Sequence, residues 1–408
     1  MSTDRQLYTH SAAMEPLMPE SSRDKLADLT CEILRRAGAL SAQIPSPVVR
    51  SRAASLVRWM NSYYSNLIEG HKTLPREIES ALRQDYLEDP KKRANQHLSR
   101  AHIEVEQLMI ERLRRDPELS IHSAEFLCWL HREFYQRLPE ELRWSSDRSG
   151  QTYKIEPGAL RAFEVDVGAH QPPHHQALPQ ILARFGDAYA SKAILATDQL
   201  VALAAAHHRL TWIHPFGDGN GRVTRLYSHA WLVRAGVDGL GLWTLSRGLA
   251  RQRKAYYEGL SAADQRRWND LDGRGNLSDR ALAGFCLFIL QVMLDQIEFM
   301  IGMLQFENLA RRIDHHLQFE LVKLAARDRE RLSRLLRAAL LEGEIERGRV
   351  GQIVGLRHSS ARQIIRLALD EGLLDSPSEK GPLSLVFSSA TLESYFPKLY
   401  QDVPAEAA

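Results

Sequence analysis

The sequence predicts a mainly α-helical protein carrying one short β-hairpin, and three observations lead there. Apolar residues recur at helical spacing through most of the chain. A period of two is confined to one stretch, and no internal repeat or low-complexity tract interrupts the rest. With 44% hydrophobic and 25% charged residues in 408, the chain can bury a sizeable core, and its length suits two or three domains.

Helical spacing runs through 22–37, 48–68 and 95–115, with polar faces between the apolar positions. It returns over 123–136, 178–190 and 193–211. The strand pair is expected within 152–168, TYKIEPGALRAFEVDVG, where Phe163, Val165 and Val167 alternate with Glu164 and Asp166. Pro157-Gly158 offers the turn, and Pro172-Pro173 closes the region. Past Gly221 helical spacing resumes with Leu226, Ala230 and Val233 on one side, and further helices follow over 249–260 and from 279 to about 324. From 347 to 369 there are five arginines and no acidic residue, so a domain boundary is placed near 328.

Lys+Arg count 53 against Asp+Glu 51, which excludes a global field that would draw the chain to nucleic acid or membrane. Cys31, Cys128 and Cys286 form no paired pattern; they read as small core residues in a reducing compartment, not a disulfide frame or zinc cluster. The first residues lack a basic region followed by an apolar run, so no export signal is read. ALAGFCLFILQVML is too short to cross a bilayer and reads as a buried helix. The expected setting is the cytoplasm, without a membrane partner.

The densest chemistry lies in 213–225, IHPFGDGNGRVTR. Pro215 disfavours helix at His214, so a loop interrupts two helical patterns there. GDGNG therefore precedes a helix N-terminus, whose free N–H groups suit an anion, and its glycines let phosphate oxygens approach the backbone. Arg222 and Arg225, three apart in the first turn, can clamp further phosphates. Asp218 is a hard oxygen ligand suited to Mg²⁺, and His214 is the nearby group able to take a proton near neutral pH. Base, metal ligand, cradle and clamp together describe phosphoryl or nucleotidyl transfer. The other histidines, His207, His208, His170, His174 and His175, lack firm ligand spacing and are expected to pack or face solvent.

HPFGDGNGRVTR closely resembles the signature of the Fic (Fic/DOC) family, HPFx[D/E]GN[G/K]RxxR, with every fixed position filled. The resemblance implies a mostly helical core and transfer of AMP from ATP onto a protein hydroxyl of Ser, Thr or Tyr. By it, His214 is the base, Asp218 binds Mg²⁺, and Gly219, Asn220 and Gly221 hold phosphates. Arg222 and Arg225 anchor the triphosphate, with Val223 and Thr224 in the same stretch. FEVDVGAHQPP resembles the family's flap, a hairpin beside the site, with Val167, Gly168, Ala169 and His170 lining the nucleotide. AYYEGLSAAD resembles its tyrosine pair, which places Tyr256 and Tyr257 at the adenosine; Asp264 stands where some relatives have asparagine.

SNLIEG, 65–70, adds a regulatory expectation. Gly70 reads as a helix C′ cap, so Glu69 sits in the last turn, where an anion opposes the macrodipole unless a cation compensates. The stretch resembles the inhibitory motif [S/T]xxxE[G/N] of the same family, which pairs Glu69 with Arg225 and places the inhibitory helix before the core. The tail from 347 reads as helix, turn, helix, with Ser359 or Ser360 as cap, Arg362 and Arg366 outward and DSPSEKGPLSLVF as a wing. It is similar to the winged-helix tails of many Fic proteins, and both DNA contact and protein docking stay open for it. The expected organisation is a helical N-terminal region over 1–115, a Fic core over 116–327 and a winged helix over 328–408. The expected function is an autoinhibited protein adenylyltransferase acting with ATP and Mg²⁺ on a protein, itself included. A nucleotide-sensing DNA-binding regulator and an AMP-removing enzyme remain alternatives, as does a homodimer.

Overall fold

A computed structural model describes residues 8–146, 150–191 and 193–401. Within these, two compact units separate. The first draws on Met1–Arg36, Asn61–Asp238 and Thr244–Gln296, the second on Ala37–Met60, Gly239–Trp243 and Ile297–Ala408.

The helices in chain order are α1 (Arg23–Ser41), α2 (Pro47–Ile68), α3 (Pro75–Leu82), α4 (Pro90–Arg115), α5 (Ala124–Tyr135), α6 (Leu178–Tyr189) and α7 (Gln199–Ile213). They continue with α8 (Asn220–Arg234), α9 (Leu245–Arg251), α10 (Arg253–Ala263) and α11 (Asp279–Leu304). Local chemistry sets many ends. Proline occupies the first turn of α3 and α4, where its missing N–H has no partner to lose. Asp89 caps α4 by accepting from the Lys92 N–H, and Ser123 caps α5 through the Phe126 N–H.

In the first unit α8 is central, packed against α4, α5, α7 and α9. Thirteen of the fifteen residues of α7 are buried. A helix covered on all sides needs no apolar stripe, so one-sided periodicity understates how deeply α7 and α8 lie. The expected helix at 193–211 begins only at Gln199, after a single 3-10 turn, and the one at 249–260 breaks at Gln252 into α9 and α10. The expected 279–324 stretch likewise breaks at Gln305. Cys31 is exposed, against its reading as a core residue, and Cys286 is buried.

One strand of the pair falls inside the expected 152–168 stretch and its partner lies upstream of it. β1 (Trp144–Ser146) pairs antiparallel with β2 (Thr152–Lys154), Trp144 opposite Lys154. The alternating stretch at 163–167 is not a strand. The buried Arg161 guanidinium donates to the Phe163 carbonyl at its start and also to the carbonyls of Pro173 and His214. Phe163 meanwhile stacks on Tyr153 with centroids 4.0 Å apart. Within the flap Val167 and His170 exchange both backbone bonds (3.0 and 2.9 Å) in a tight turn around Gly168 at φ +62°.

By length and composition α11 is long and apolar enough to cross a membrane, contrary to the expectation that its apolar run is too short. Its Leu282, Phe285, Ile289 and Met293 are buried within the protein, as in a core helix.

The second unit ends with α12 (Phe306–Phe319), α13 (Ala326–Glu342), β3 (Glu344–Ile345), α14 (Val350–Val354), α15 (His358–Asp370), β4 (Leu374–Asp375), β5 (Leu383–Leu385) and α16 (Leu392–Tyr395). The three strands form an antiparallel sheet in the order β3-β5-β4. Ala361, Ile364, Ile365 and Ala368 form the buried face of α15. The N-cap position of α15 is Arg357, without a side-chain cap, so Ser359 and Ser360 lie inside the helix and do not cap it.

Candidate functional site

Every residue of the site belongs to the first unit. α7 ends at Ile213, before Pro215, and His214 adopts the left-handed conformation (φ 48°, ψ 61°), a costly one for a residue bearing a Cβ. Its carbonyl accepts from Arg161 Nε at 2.9 Å. Burial pushes the His214 ring down to about 4, helped by the nearby Arg161 and His170 and opposed by the Thr211 carbonyl and Asp218. At neutral pH the imidazole is therefore uncharged and holds a free lone pair.

Gly219 opens α8 at φ +78°, and a Cβ there would fall 2.6 Å from the Tyr135 ring, so only glycine fits this turn. Tyr135 in turn donates its hydroxyl to Asp218 Oδ2 at 2.8 Å. His131 accepts the Gly158 N–H at Nδ1 (2.8 Å), which leaves Nε2 to donate to the Asp218 carbonyl at 3.3 Å. The His131 ring stacks on Phe216 at 4.1 Å. Burial alone would raise the Asp218 carboxyl, but Arg222, the Tyr135 hydroxyl and the Gly219 N–H hold it below its usual range. Asp218 thus stays charged beside the start of α8, as a hard-cation ligand requires.

Asn220 is engaged within the loop: its Oδ1 accepts from the Phe216 N–H at 2.9 Å and its Nδ2 donates to the Phe216 carbonyl at 2.8 Å. Its side chain shapes the cradle at the start of α8. Val223 and Thr224 are buried in α8. Arg222 is 5% exposed, its guanidinium 5.5 Å above the Phe134 ring.

Arg225 faces the end of α2. Its Nε donates to Ser65 Oγ and its Nη2 to the Ser65 carbonyl, both at 2.9 Å, and Nη2 also meets Glu69 Oε1 at 2.6 Å. The Arg225 side chain is 2% exposed and that of Glu69 30%. The end of α2 follows the expected cap: Gly70, at φ +85°, donates to the Leu67 carbonyl and His71 to that of Asn66. A Cβ on Gly221 would lie 2.3 Å from Glu69 Oε1, so the carboxylate rests on the first turn of α8. Burial would raise the Glu69 carboxyl; Arg225, then Arg222, hold it down.

The remaining expected residues divide. Tyr256 is buried, with its hydroxyl 2.8 Å from His207 Nε2, and His207 Nδ1 reaches Ser228 Oγ at 2.8 Å. Tyr257 is 42% exposed and donates to the Ile68 carbonyl at 3.2 Å, fastening the last turn of α2. Gly168 and Ala169 are exposed at the tip of the flap turn, while His170 Nε2 donates to the Trp212 carbonyl at 2.8 Å. Asp264 pairs with His208 at 3.2 Å and lies 3.9 Å from His170 Nδ1. His207 and His208 are fully buried and do not face solvent. Tyr135, His131 and Arg161 carry the loop yet lie outside any motif. Their partners are 53 to 87 residues away, and no periodicity signals such contacts.

Residues 118–232 match the Fic/DOC family. A "Protein adenylyltransferase Fic" of Nematostella vectensis is 34% identical over 115 residues, 28% of this chain and 26% of that protein. One of Drosophila willistoni is 35% identical over 116 residues, 28% of this chain and 22% of that protein. The chain thus spans about a quarter of the length of the curated relatives it matches. Among solved structures, a Fic family protein from Desulfovibrio desulfuricans G20 aligns at TM-score 0.54 and 18% identity, covering 90% of this chain and 98% of that one. Fic-1 (aa134 - 508) from C. elegans aligns at TM-score 0.51 and 17% identity, covering 69% and 73%. At these identities the structural likeness speaks to the fold.

Proposed function

We propose, for a chain that carries a Fic/DOC family domain over residues 118–232, that it transfers AMP from ATP to a Ser, Thr or Tyr hydroxyl of a protein. The observation that carries this reading is the anion already seated on α8. The Glu69 carboxylate lies against Gly221 and on Arg225, where a phosphate would meet the same guanidinium beside the start of α8. His214 Nε2 takes the proton of the target hydroxyl. The oxygen forms a bond to the α-phosphorus while the bond to the bridging oxygen of the β-phosphate breaks, and pyrophosphate leaves. The charged Asp218 carboxylate beside Arg222 fits Mg²⁺, which when bound neutralises phosphate charge. Arg222 and the α8 N-terminus orient the phosphates, and Tyr257 offers the exposed aromatic face for adenine.

Glu69 acts as a brake in this reading: while it holds Arg225, that arginine is withheld from the γ-phosphate. Incubation with α-labelled ATP and cell lysate tests the reading. Label on protein from wild type and none from His214→Ala supports it, whereas equal label from both overturns it.

The tail supports a second, separate reading. The order α13-β3-α14-α15-β4-β5 with sheet order β3-β5-β4 supports the winged-helix reading, and Arg362 and Arg366 project from the face of α15 opposite its buried one. An indentation of about 430 Å³ there is lined by Arg347, His358, Arg362 and Arg366, but also by Asp370 and Glu379. The acidic residues weaken attraction to phosphates, so protein docking competes with DNA contact. Salt-dependent binding of duplex DNA that Arg362→Ala/Arg366→Ala flattens distinguishes them.

A further inference from the structure

We propose that Glu164, His174 and His175 bind one divalent transition-metal ion of the zinc type at the root of the 167–170 turn. The three offer ligand atoms that all lie within 4.8 Å of one another. His174 Nε2 stands 3.5 Å and His175 Nδ1 2.6 Å from the same oxygen, Glu164 Oε1. The two rings stack with centroids 4.5 Å apart and so present their nitrogens side by side. Two imidazoles and a carboxylate form a donor set that suits zinc, with a fourth position left to solvent. The side chains remain 36%, 30% and 26% exposed, so an ion can enter from solution.

The geometry is close to what ligation needs. Ligand atoms around a tetrahedral ion with bonds of about 2.0–2.2 Å sit roughly 3.4 Å apart. The His174–Glu164 separation already matches, and the His175–Glu164 hydrogen bond opens by less than about 1 Å as the ion replaces the shared proton. Glu164 divides its oxygens. Oε1 faces the rings, and Oε2 lies 3.5 Å from Arg161, which keeps that guanidinium off the ligand side. Burial would raise the Glu164 carboxyl, but hydrogen bonds from His175 and the charge of Arg161 hold it down, so the ligand is anionic.

The ligand segment is placed without the ion. His174 N–H donates to the Tyr8 carbonyl at 2.9 Å, and His175 N–H to Glu164 Oε1 at 3.1 Å. One rearrangement is required: His174 Nδ1 accepts from the Gln176 N–H at 3.2 Å, and a neutral ring that ligates through Nε2 must carry its proton on Nδ1. That bond is long and exposed, so water replaces it readily. The ion would close the loop from 164 to 175. Arg161 joins the same segment to the His214 carbonyl.

Zinc titrated into the tag-free full chain in excess Mg²⁺, followed by calorimetry and by visible absorption of the cobalt-substituted protein, tests the site. One ion per chain is expected. Glu164→Gln and His174→Ala/His175→Ala should each weaken binding roughly tenfold or more, while Asp218→Ala leaves it in place. Glu164→Gln keeps the side chain's shape, so a folding failure of the double variant does not decide the matter. No saturable zinc uptake, or equal affinity in wild type and Glu164→Gln, overturns the proposal. Because binding is read directly, the outcome is independent of whether the chain transfers AMP.

Discussion

Two helix ends meet at the site, and they differ in sign. The start of α8 presents unpaired N–H groups and, within one turn, Arg222 and Arg225. The end of α2 turns its carbonyls back onto Gly70 and His71 and follows them with a carboxylate, Glu69. At its own helix end that anion opposes the macrodipole; at the first turn of α8 it is favoured. The difference teaches that Glu69 is held by α8 rather than by α2. Removing it relieves α2 while freeing Arg225.

The largest expected way to break this arrangement is acid. Burial, joined around α8 by Arg222 and Arg225, lowers His102 to about 3; burial also lowers His207 to about 3 and His131 to about 4. Folded values below the unfolded one mean that the unfolded chain takes up protons first as pH falls. Stability should be intact above about pH 6.5 and be lost between there and about pH 4. Each fully buried histidine contributes on the order of 2 kcal/mol to that loss at pH 5. Urea midpoints measured from pH 7.5 to 5 read it out, and a flat profile contradicts the assignment.

Removing the base is next. His214→Ala should lower transfer by about a thousandfold, within the range of general-base contributions, while nucleotide affinity changes little because the ring does not hold phosphates. Labelling rates and equilibrium nucleotide binding separate the two effects.

Glu69→Gly sharpens the comparison directly. Freed of its partner, Arg225 becomes available to the γ-phosphate, and self-labelling with α-labelled ATP should rise roughly a hundredfold. Glu69→Gly/His214→Ala should show no label. Equal labelling by wild type and the single variant would make Glu69 an ordinary ion-pair partner.

The smallest expected effect tests how α2 is fastened. Tyr257→Phe keeps the ring and loses the hydroxyl bonded to the Ile68 carbonyl. Loss of about 1 kcal/mol of restraint should raise basal labelling by roughly fivefold. A fall in activity would instead mean that the hydroxyl contacts nucleotide.

Much of the site was legible before the fold. The αL glycine before α8, the cap at Gly70 and the break at His214-Pro215 follow from local sterics, and their chemistry is complete within a few residues. Most helix positions were legible for the same reason, though α3 and the breaks at Gln252 and Gln305 were not, and periodicity gave no direction where α7 and α8 are buried all round. The hairpin was half misplaced: β2 falls within the expected 152–168, whereas 163–167 alternates without pairing and is tied down by Arg161, which binds the carbonyls of Phe163, Pro173 and His214. The Glu69–Arg225 pair spans 156 residues and came from resemblance alone. Tyr135 on Asp218, Ser65 on Arg225 and the gathering of Glu164 with His174 and His175 were decided by the tertiary structure. Spacing encodes neighbours within about a turn of helix, whereas which distant side chain satisfies a buried charge depends on how the helices pack.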